Sequence, residues 1–274
     1  MLDQKRPRGR PRAVKLSQKT TSVHALDRGL ALLKVIAEAD GLTLNDLAQR
    51  TGFAPSTAHR ILTTLEAHRF VVNEENRGLW YIGVGAFCTG NAFLRNRRLA
   101  GIGRHVMRGL MEQTGETVNL GIEDQGEVVF ISQVESDDTL RAFYRAGTRG
   151  ALHASGVGKA LMAEFPAERV RQILFRTGLK RFTGKTLVDP TQLLEQLAES
   201  RRRGWAIDDE ERTEGIRCLA APIFNEFSEA IAAVSISGPT VRMTLERLGE
   251  YGPLVRRTAD AITSSIGGIQ PRRT

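Results

Sequence analysis

The sequence predicts an α+β protein of two domains, and three observations support that prediction. The chain has 274 residues, which is enough for about two domains that each bury a core. Helical periodicity dominates residues 22–70 and gives way to a short hairpin pattern. From residue 116 onward, helices interrupt runs of strands without alternating regularly with them, which is typical of an antiparallel sheet.

Residues 41–70 predict two short helices joined by a tight turn. Thr43 suits the N-cap of the first helix, and apolar residues at i, i+3 and i+4 give that helix one buried stripe. Gly52 stands where the end of a helix favours a left-handed residue. Pro55 suits the first turn of the second helix.

The second helix of the pair carries polar residues near its start, on the face opposite its apolar residues. These are Ser56, Thr57, His59 and Arg60. A helix-turn-helix presents its second helix to the major groove of DNA in this way. The alternative is a pair of core helices in an ordinary small α-domain.

The flanking segments complete a winged helix-turn-helix over residues 21–84. A helix is predicted over 22–38, and strands over 69–72 and 79–82 enclose a turn that ends at Gly78. Arg77 at the tip of this wing is a candidate phosphate contact, although a solvated turn residue is nearly as good an interpretation. We include Thr43 among the candidate DNA contacts.

The chain opens with a basic arm over residues 1–20. Residues 1–19 hold seven Lys and Arg against Asp3 alone, so +6 of the net charge of +8 lies there. Segment 7–11, Pro-Arg-Gly-Arg-Pro, resembles an AT-hook, in which Arg8 and Arg10 would enter a narrow minor groove. The alternative is a disordered tail that improves solubility or seeks phosphate.

Composition argues against several other classes of protein. No apolar run approaches the length needed to cross a bilayer, and no signal peptide is visible. The two cysteines, Cys88 and Cys218, lie far apart without metal-type spacing, and no cofactor motif is present. We therefore expect a cytoplasmic protein with reduced thiols, no metal, no cofactor and no membrane partner.

A linker helix is predicted over residues 85–98, and a second domain over 99–270. The apolar stripe formed by Phe87, Gly90 and Leu94 exceeds what the small first domain can cover, so a second subunit is expected to pack there. Gly101 and Gly103 are expected to interrupt the helix that follows. The later strands are predicted at 117–122, 128–134, 140–145, 205–208, 218–224 and 230–237, and the later helices at 151–165, 166–177, 190–203 and 240–265.

The stretch 152–160, Leu-His-Ala-Ser-Gly-Val-Gly-Lys-Ala, is the most distinctive in this domain. It is not a phosphate-binding loop, because His153 replaces the required first glycine and Ala160 the Ser or Thr. It does predict a helix start capped by Ser155, with the free N–H groups of Gly156 and Val157 forming a site for a small carboxylate. The alternative is a Gly-rich helix start that only packs on the sheet.

Further polar residues follow in the last strands. Asp208 ends one apolar strand and Cys218 begins another, although a short acidic run such as 208–211 is usually solvated. Ser235 and Ser237 alternate with aliphatic residues, which puts both hydroxyls on one face. On the inner face of the sheet they would need partners such as a ligand, and on the outer face they would be surface serines. A hydrolytic centre built from Asp208, Cys218, His153 and Ser155 fits no known spacing of a nucleophile and its base. We therefore predict that the chain is not an enzyme and has no catalytic residues.

Over residues 20–270 the chain resembles the IclR family of bacterial transcriptional regulators. The resemblance is carried by SVHALDRGLALL, the winged helix-turn-helix, ALHASGVGKALMA and GWAIDDEERTEGIRCLAAPI. It implies a GAF-like effector-binding domain, a homodimer or dimer-of-dimers tetramer, and a palindromic double-stranded operator. It also implies a bacterial cytoplasmic protein that joins the nucleoid when it binds DNA.

The resemblance is strongest to members that sense small 2-oxo acids such as glyoxylate and pyruvate. It implies effector contacts from Gly156, Val157, Asp208, Cys218, Ser235 and Ser237. An aromatic or other organic acid is the alternative effector. The resemblance does not indicate whether the protein represses or activates transcription.

Overall fold

The computed structural model describes residues 23–74, 76–97, 99–138 and 145–271. The chain divides into two compact units, with the boundary between Asn91 and Ala92. The basic arm, with Arg8 and Arg10, lies outside the described residues. None of the helices in the described ranges is long and apolar enough to span a bilayer.

The first unit is a helix-turn-helix with an antiparallel wing, as predicted, and the wing has three strands where the sequence predicted two. Its elements are α1 His24–Ala37, β1 Leu42–Thr43, α2 Leu44–Thr51, α3 Pro55–Ala67, β2 Val71–Glu74 and β3 Leu79–Ile82. The strand order is β1-β3-β2. The sequence did not predict β1, because two residues are too few to show alternation; Leu42 pairs with Trp80 across the sheet.

Local signals set the geometry of the helix pair. The Thr43 hydroxyl accepts the Asp46 N–H at 3.2 Å, and the Asp46 carboxylate accepts the Thr43 N–H at 3.1 Å, which forms a capping box. Gly52 ends α2 with a left-handed φ of 70°. Pro55 opens α3, where the missing N–H removes no hydrogen bond.

One apolar core holds the first unit together. Each of the three helices buries one face against the others and against the wing. Its members are Leu32, Ile36, Leu42, Leu47, Ala48, Ala58, Leu62, Val71 and Trp80. Because these residues occupy the inner faces, the polar face of α3 is left outside the core.

The second unit contains a six-stranded antiparallel sheet between two layers of helices. The helix α4 Val84–Arg97 leads into it, and its strand order is β6-β5-β4-β9-β8-β7. The remaining elements are α5 Leu99–Thr114, β4 Thr117–Asp124, β5 Glu127–Val134, β6 Arg149–Ala151, α6 Gly156–Met162, α7 Ala167–Thr177, α8 Pro190–Arg203, β7 Ala206–Asp209, β8 Ile216–Phe224, β9 Ala230–Pro239 and α9 Leu245–Ser265.

The two faces of this sheet differ in chemistry. Aliphatic side chains such as Leu120, Leu219 and Val234 pack against α5 and α9 and form the larger core. The opposite face carries small residues such as Ala220 and Ala233 and packs against α6. Period-two alternation produces this separation, and it leaves room above the second face for a helix start to approach closely.

Three predicted elements differ from the structure. Gly101 and Gly103 do not interrupt α5, because α5 buries Met107 and Leu110 against the sheet, which offsets a glycine penalty of about 1 kcal/mol each. The strand predicted at 140–145 falls largely outside the described residues, and β6 lies later in the chain. The last helix starts at Leu245, where Thr244 caps it, and not at residue 240.

We expect Thr43→Ala to loosen α2 while Thr43→Ser leaves it intact, because serine keeps the capping oxygen. Loss of the cap should lower the local free energy of unfolding by about 0.5–2 kcal/mol. Hydrogen–deuterium exchange of amides in α2, measured in the full-length protein, reports this quantity. Equal exchange in the two variants would show that the capping box contributes no stability.

Candidate functional site

The polar residues predicted on the second helix lie together on one face of α3. Ser56, His59 and Arg60 are exposed and Thr57 is half-buried, while Ala58 and Leu62 on the opposite face are buried. Pro55 and the turn before it position this face at the N-terminal end of the helix. A cationic and hydroxyl-bearing helix face of this kind can donate hydrogen bonds to the edges of bases.

Thr43 and Arg77 lie elsewhere in the first unit. The Thr43 hydroxyl donates to the Asp46 carboxylate at 2.6 Å and is engaged in the capping box. The Arg77 guanidinium, exposed at the tip of the wing, lies 3.7 Å from the Glu74 carboxylate. An exposed pair at that distance is weak, so the Arg77 cation can still interact with an anion from outside.

The register of the second sheet brings the predicted polar residues of the effector site together. Ser237 lies opposite Cys218 on one neighbouring strand, and Cys218 lies opposite Asp208 on the next. Directly opposed residues of an antiparallel pair point to the same face. We name this face, with Thr117, Asn119, Asp208, Cys218, Ser235 and Ser237, the polar row.

Hydrogen bonds link the polar row from strand to strand. The Gln133 amide donates to Asn119 Oδ1 at 3.0 Å, and Asn119 Nδ2 donates to Ser237 Oγ at 3.5 Å. The Cys218 sulfur lies 3.0 Å from the same Ser237 oxygen. Sequence reasoning missed Thr117 and Asn119, although their spacing of two residues was the same signal that identified Ser235 and Ser237.

The start of α6 lies directly over the polar row. The Ser155 hydroxyl accepts the Gly158 N–H at 3.0 Å and caps the helix as predicted. A Cβ on Gly156 would stand 3.3 Å from the Cβ of Cys218, so a glycine allows the backbone to approach this closely. The N–H groups of Gly156 and Val157, at the first two helical positions, have no partner within the helix.

Asp208 is buried, with 2% of its surface exposed, and its Oδ1 accepts the Glu211 N–H at 2.8 Å. Burial raises the pKa of Asp208 to about 6, and the nearby Lys159 cation opposes this effect. The carboxyl is therefore half protonated near pH 6 and mostly ionised at pH 7. In its neutral form it can donate a hydrogen bond to a neighbouring anion.

Lys159 and Glu211 form a buried ion pair behind the polar row. The Lys159 ammonium is fully buried and donates to the Glu211 carboxylate and, at 2.6 Å, to Gln196 Oε1. Within the described residues, Glu211 Oε2 is the one buried side-chain oxygen or nitrogen without a hydrogen bond. Sequence reasoning considered Lys159 only as part of a phosphate loop, and no local pattern indicates its partner.

The arrangement does not form a hydrolytic centre. Burial, followed by the charge of Asp208, raises the pKa of the Cys218 thiol, so the thiol stays protonated and is a poor nucleophile. The neighbouring Arg217 does not activate it, because Arg217 points to the opposite face and binds Asp209 at 2.5 Å. Across the described residues, no group of three or more His, Cys, Asp or Glu is placed to hold a metal ion.

Comparison with known proteins gives a consistent result for both units. The family model "Bacterial transcriptional regulator IclR C-terminal" matches residues 91–264, and "IclR helix-turn-helix domain" matches residues 25–75. The transcriptional regulator BhcR of Paracoccus denitrificans is 45% identical over 268 residues, which cover 98% of this chain and 95% of that protein. The Escherichia coli repressor IclR is 44% identical over 266 residues, which cover 96% of this chain and 97% of that protein.

A solved structure agrees with the sequence relatives. The crystal structure of the Thermotoga maritima IclR superimposes with a TM-score of 0.77 at 28% identity, covering 89% of this chain and 99% of that one. The predicted α+β fold, with its winged helix-turn-helix and GAF-like domain, is confirmed. The chain belongs to the IclR family of bacterial transcriptional regulators, and it is therefore a DNA-binding regulator and not an enzyme.

Proposed function

We propose that a small carboxylate, most specifically a 2-oxo acid such as glyoxylate, controls the binding of this regulator to its operator. The observation that carries the proposal is the polar row lying beneath the N–H groups of Gly156 and Val157. These backbone N–H groups face the buried hydroxyls of the polar row in the interior of the second unit.

On the DNA side, we propose that Ser56, Thr57, His59 and Arg60 contact base edges from the major groove. Contacts to the phosphate backbone would supply much of the affinity but little sequence information. Arg77 on the wing and Thr43 at the start of α2 would make such contacts. Arg8 and Arg10, which lie outside the described residues, would bind in the minor groove beside the site.

The chemistry of the proposed effector site suits a compact anion. The amides of Gly156 and Val157 would receive the carboxylate, since backbone N–H groups at a helix start favour negative charge. The Ser235 and Ser237 hydroxyls, together with the protonated Cys218 thiol, would contact the oxo group. Asp208, whose pKa is raised to about 6, repels the anion when it is ionised and donates a hydrogen bond to it when it is protonated.

We further propose that the regulator acts as a homodimer or a dimer-of-dimers tetramer on a palindromic operator. Val84 and Phe87 on α4 are large apolar residues whose surfaces are mostly exposed, as a helix that receives a second copy would require. An effector that favours one arrangement of the paired subunits would change operator affinity by a coupling of about 1–3 kcal/mol.

We expect Arg60→Ala to weaken specific operator binding by about 1–3 kcal/mol, because it removes a base-edge or phosphate contact from the exposed end of α3. Gel-shift titration with operator and with unrelated DNA would separate these two cases. Arg171→Ala, an exposed arginine on α7 of the second unit, is the matched control. Unchanged operator affinity in Arg60→Ala would contradict the proposed role.

We expect glyoxylate to bind in calorimetry. The Ser235→Ala/Ser237→Ala variant should bind it about 5- to 150-fold more weakly, since each of the two lost hydrogen bonds costs about 0.5–1.5 kcal/mol. Ser264→Ala, which removes an exposed hydroxyl from α9, should bind it normally. Pyruvate and an aromatic acid such as benzoate complete the panel. Tighter binding of benzoate than of glyoxylate would favour the alternative effector class.

We expect the affinity for glyoxylate to be constant below pH 6 and to fall as the pH rises above it. Burial raises the pKa of Asp208 to about 6, and a bound anion beside it would raise that pKa further. Binding above pH 6 would therefore take up a proton, and affinity would fall by up to about tenfold per pH unit. Calorimetry at pH 5.5–8 in buffers of different ionisation enthalpy measures both effects.

Asp208→Asn provides the control for the pH experiment, because the amide keeps the shape of the side chain but does not titrate. Its affinity should not vary over the same pH range. An affinity of the unmodified protein that rises with pH would show that Asp208 does not face the effector.

A further inference from the structure

A second site is suggested by a cleft on the second unit that the proposed function does not use. The cleft has a volume of about 550 Å³ and lies between the β4–β5 turn, the end of α7 and the loop that follows α7. Four cations line it, Arg149, Arg176, Lys180 and Arg212, and we name it the basic cleft. None of the residues proposed to contact the effector lines it.

The basic cleft keeps an excess of positive charge, because the carboxylates of Asp124 and of the lining residue Glu127 both pair with one of its four cations. Arg149 is balanced by Asp124 at 2.9 Å and by Glu127 at 2.6 Å. For Arg176, Lys180 and Arg212, no carboxylate partner occurs among the described residues. Three cations that line one concave surface repel one another, and this repulsion is relieved when an anion binds between them.

The cations are held in place before any ligand arrives. The guanidinium of Arg212 lies 4.0 Å from the ring centroid of Phe182, and the Lys180 ammonium lies 5.5 Å from the same ring. On the other side of that loop, the Thr186 hydroxyl donates to the Glu211 carbonyl at 2.6 Å. The Phe182 ring and the Thr186 hydrogen bond therefore link the loop that carries Lys180 to the turn that carries Arg212.

The Arg176 guanidinium lies against Gly126, which has no side chain. A Cβ on Gly126 would stand 2.9 Å from the Arg176 guanidinium nitrogen Nη2, which is too close for an ordinary contact. Gly126 also has a φ of 86°, which a glycine adopts without strain. The turn between β4 and β5 thus provides the space in which this third cation lies.

The basic cleft adjoins the segment that leads into α6. His153 stacks on Phe182 with ring centroids 6.0 Å apart, and its Nε2 donates to the Lys180 carbonyl at 2.9 Å. Burial lowers the pKa of His153, so this ring is neutral near pH 7. A ligand in the cleft would therefore contact the residues that immediately precede the cap of α6.

We propose that the basic cleft binds a compact polyanion, in particular a phosphorylated metabolite. A phosphate group carries close to two negative charges and three strong acceptor oxygens, which matches two arginine forks and a lysine. A volume of about 550 Å³ lies within the usual range for small-ligand pockets. A monoanion would leave two of the three cations unneutralised, so we expect at least two negative charges on the ligand.

Calorimetry on the full-length protein at constant ionic strength tests this proposal, with inorganic pyrophosphate as the probe and citrate as the polycarboxylate comparison. We expect saturable binding of pyrophosphate at one site per chain. Arg176→Gln and Arg212→Gln should each weaken it by about tenfold or more, because each removes a charge-assisted hydrogen bond. Binding of citrate with equal affinity would overturn the preference for phosphate.

Arg171→Gln is the matched control, since Arg171 is exposed on α7, pairs with Glu168 and does not line the cleft. Its affinity for pyrophosphate should change by no more than about twofold. An equal loss of pyrophosphate affinity in Arg176→Gln, Arg212→Gln and the control would show that the probe is attracted by the overall positive charge and not by the cleft. Binding that survives in the Arg176→Gln/Arg212→Gln double variant would place the probe elsewhere, for example on the basic arm. Either result would overturn the proposal.

A second measurement does not depend on the stability of the variants. Acetylation of lysines in the unmodified protein, followed by mass spectrometry, reports whether pyrophosphate covers Lys180. We expect pyrophosphate to slow the acetylation of Lys180 severalfold and to leave that of Lys34, an exposed lysine on α1, unchanged. Equal labelling of Lys180 with and without the probe would overturn the proposal, whether or not glyoxylate binds at the polar row.

Discussion

The ion pair between Lys159 and Glu211 is the interaction on which the second unit depends most. It joins α6 to the turn after β7, and Gln196 extends the link to α8. Removal of one partner of a buried pair leaves a charge without compensation, which costs about 3–5 kcal/mol. The pair therefore holds the start of α6 in its position over the sheet.

The ion pair between Lys159 and Glu211 also affects the net charge around the polar row. Lys159 is balanced by Glu211, so the groups that face the Gly156 and Val157 amides are hydroxyls, a protonated thiol and one carboxyl with a raised pKa. A small anion that enters such a site meets donors and few fixed negative charges. The aliphatic face of the same sheet, packed on α5 and α9, supplies the rigid support behind it.

Local signals were sufficient to predict the helices and the hairpin of the first unit, though not its short strand β1, and only part of the second unit. Thr43 and Gly52 each carry a cap or turn preference that depends on neighbouring residues alone, so the helix pair was correctly predicted. Ser235 and Ser237 were correctly placed on one common face because period-two alternation is also local, but this alternation did not indicate that the face is buried. The pairing of Asn119 with that row depends on strand register, and the partner of Lys159 comes from a turn 52 residues away, so neither could be predicted from nearby sequence. The basic cleft was missed because its cations come from separate parts of the chain, namely β6, the end of α7 and two loops.

The protonated state of Cys218 has a consequence for the proposed binding of glyoxylate. Glyoxylate carries an aldehyde carbon, and thiolates add readily to such carbons to give hemithioacetals. Because burial keeps this sulfur protonated, the addition would be slow, and the thiol would interact through hydrogen bonding. Occupancy of the effector site would then rise and fall with the concentration of glyoxylate, because no covalent adduct would delay its release.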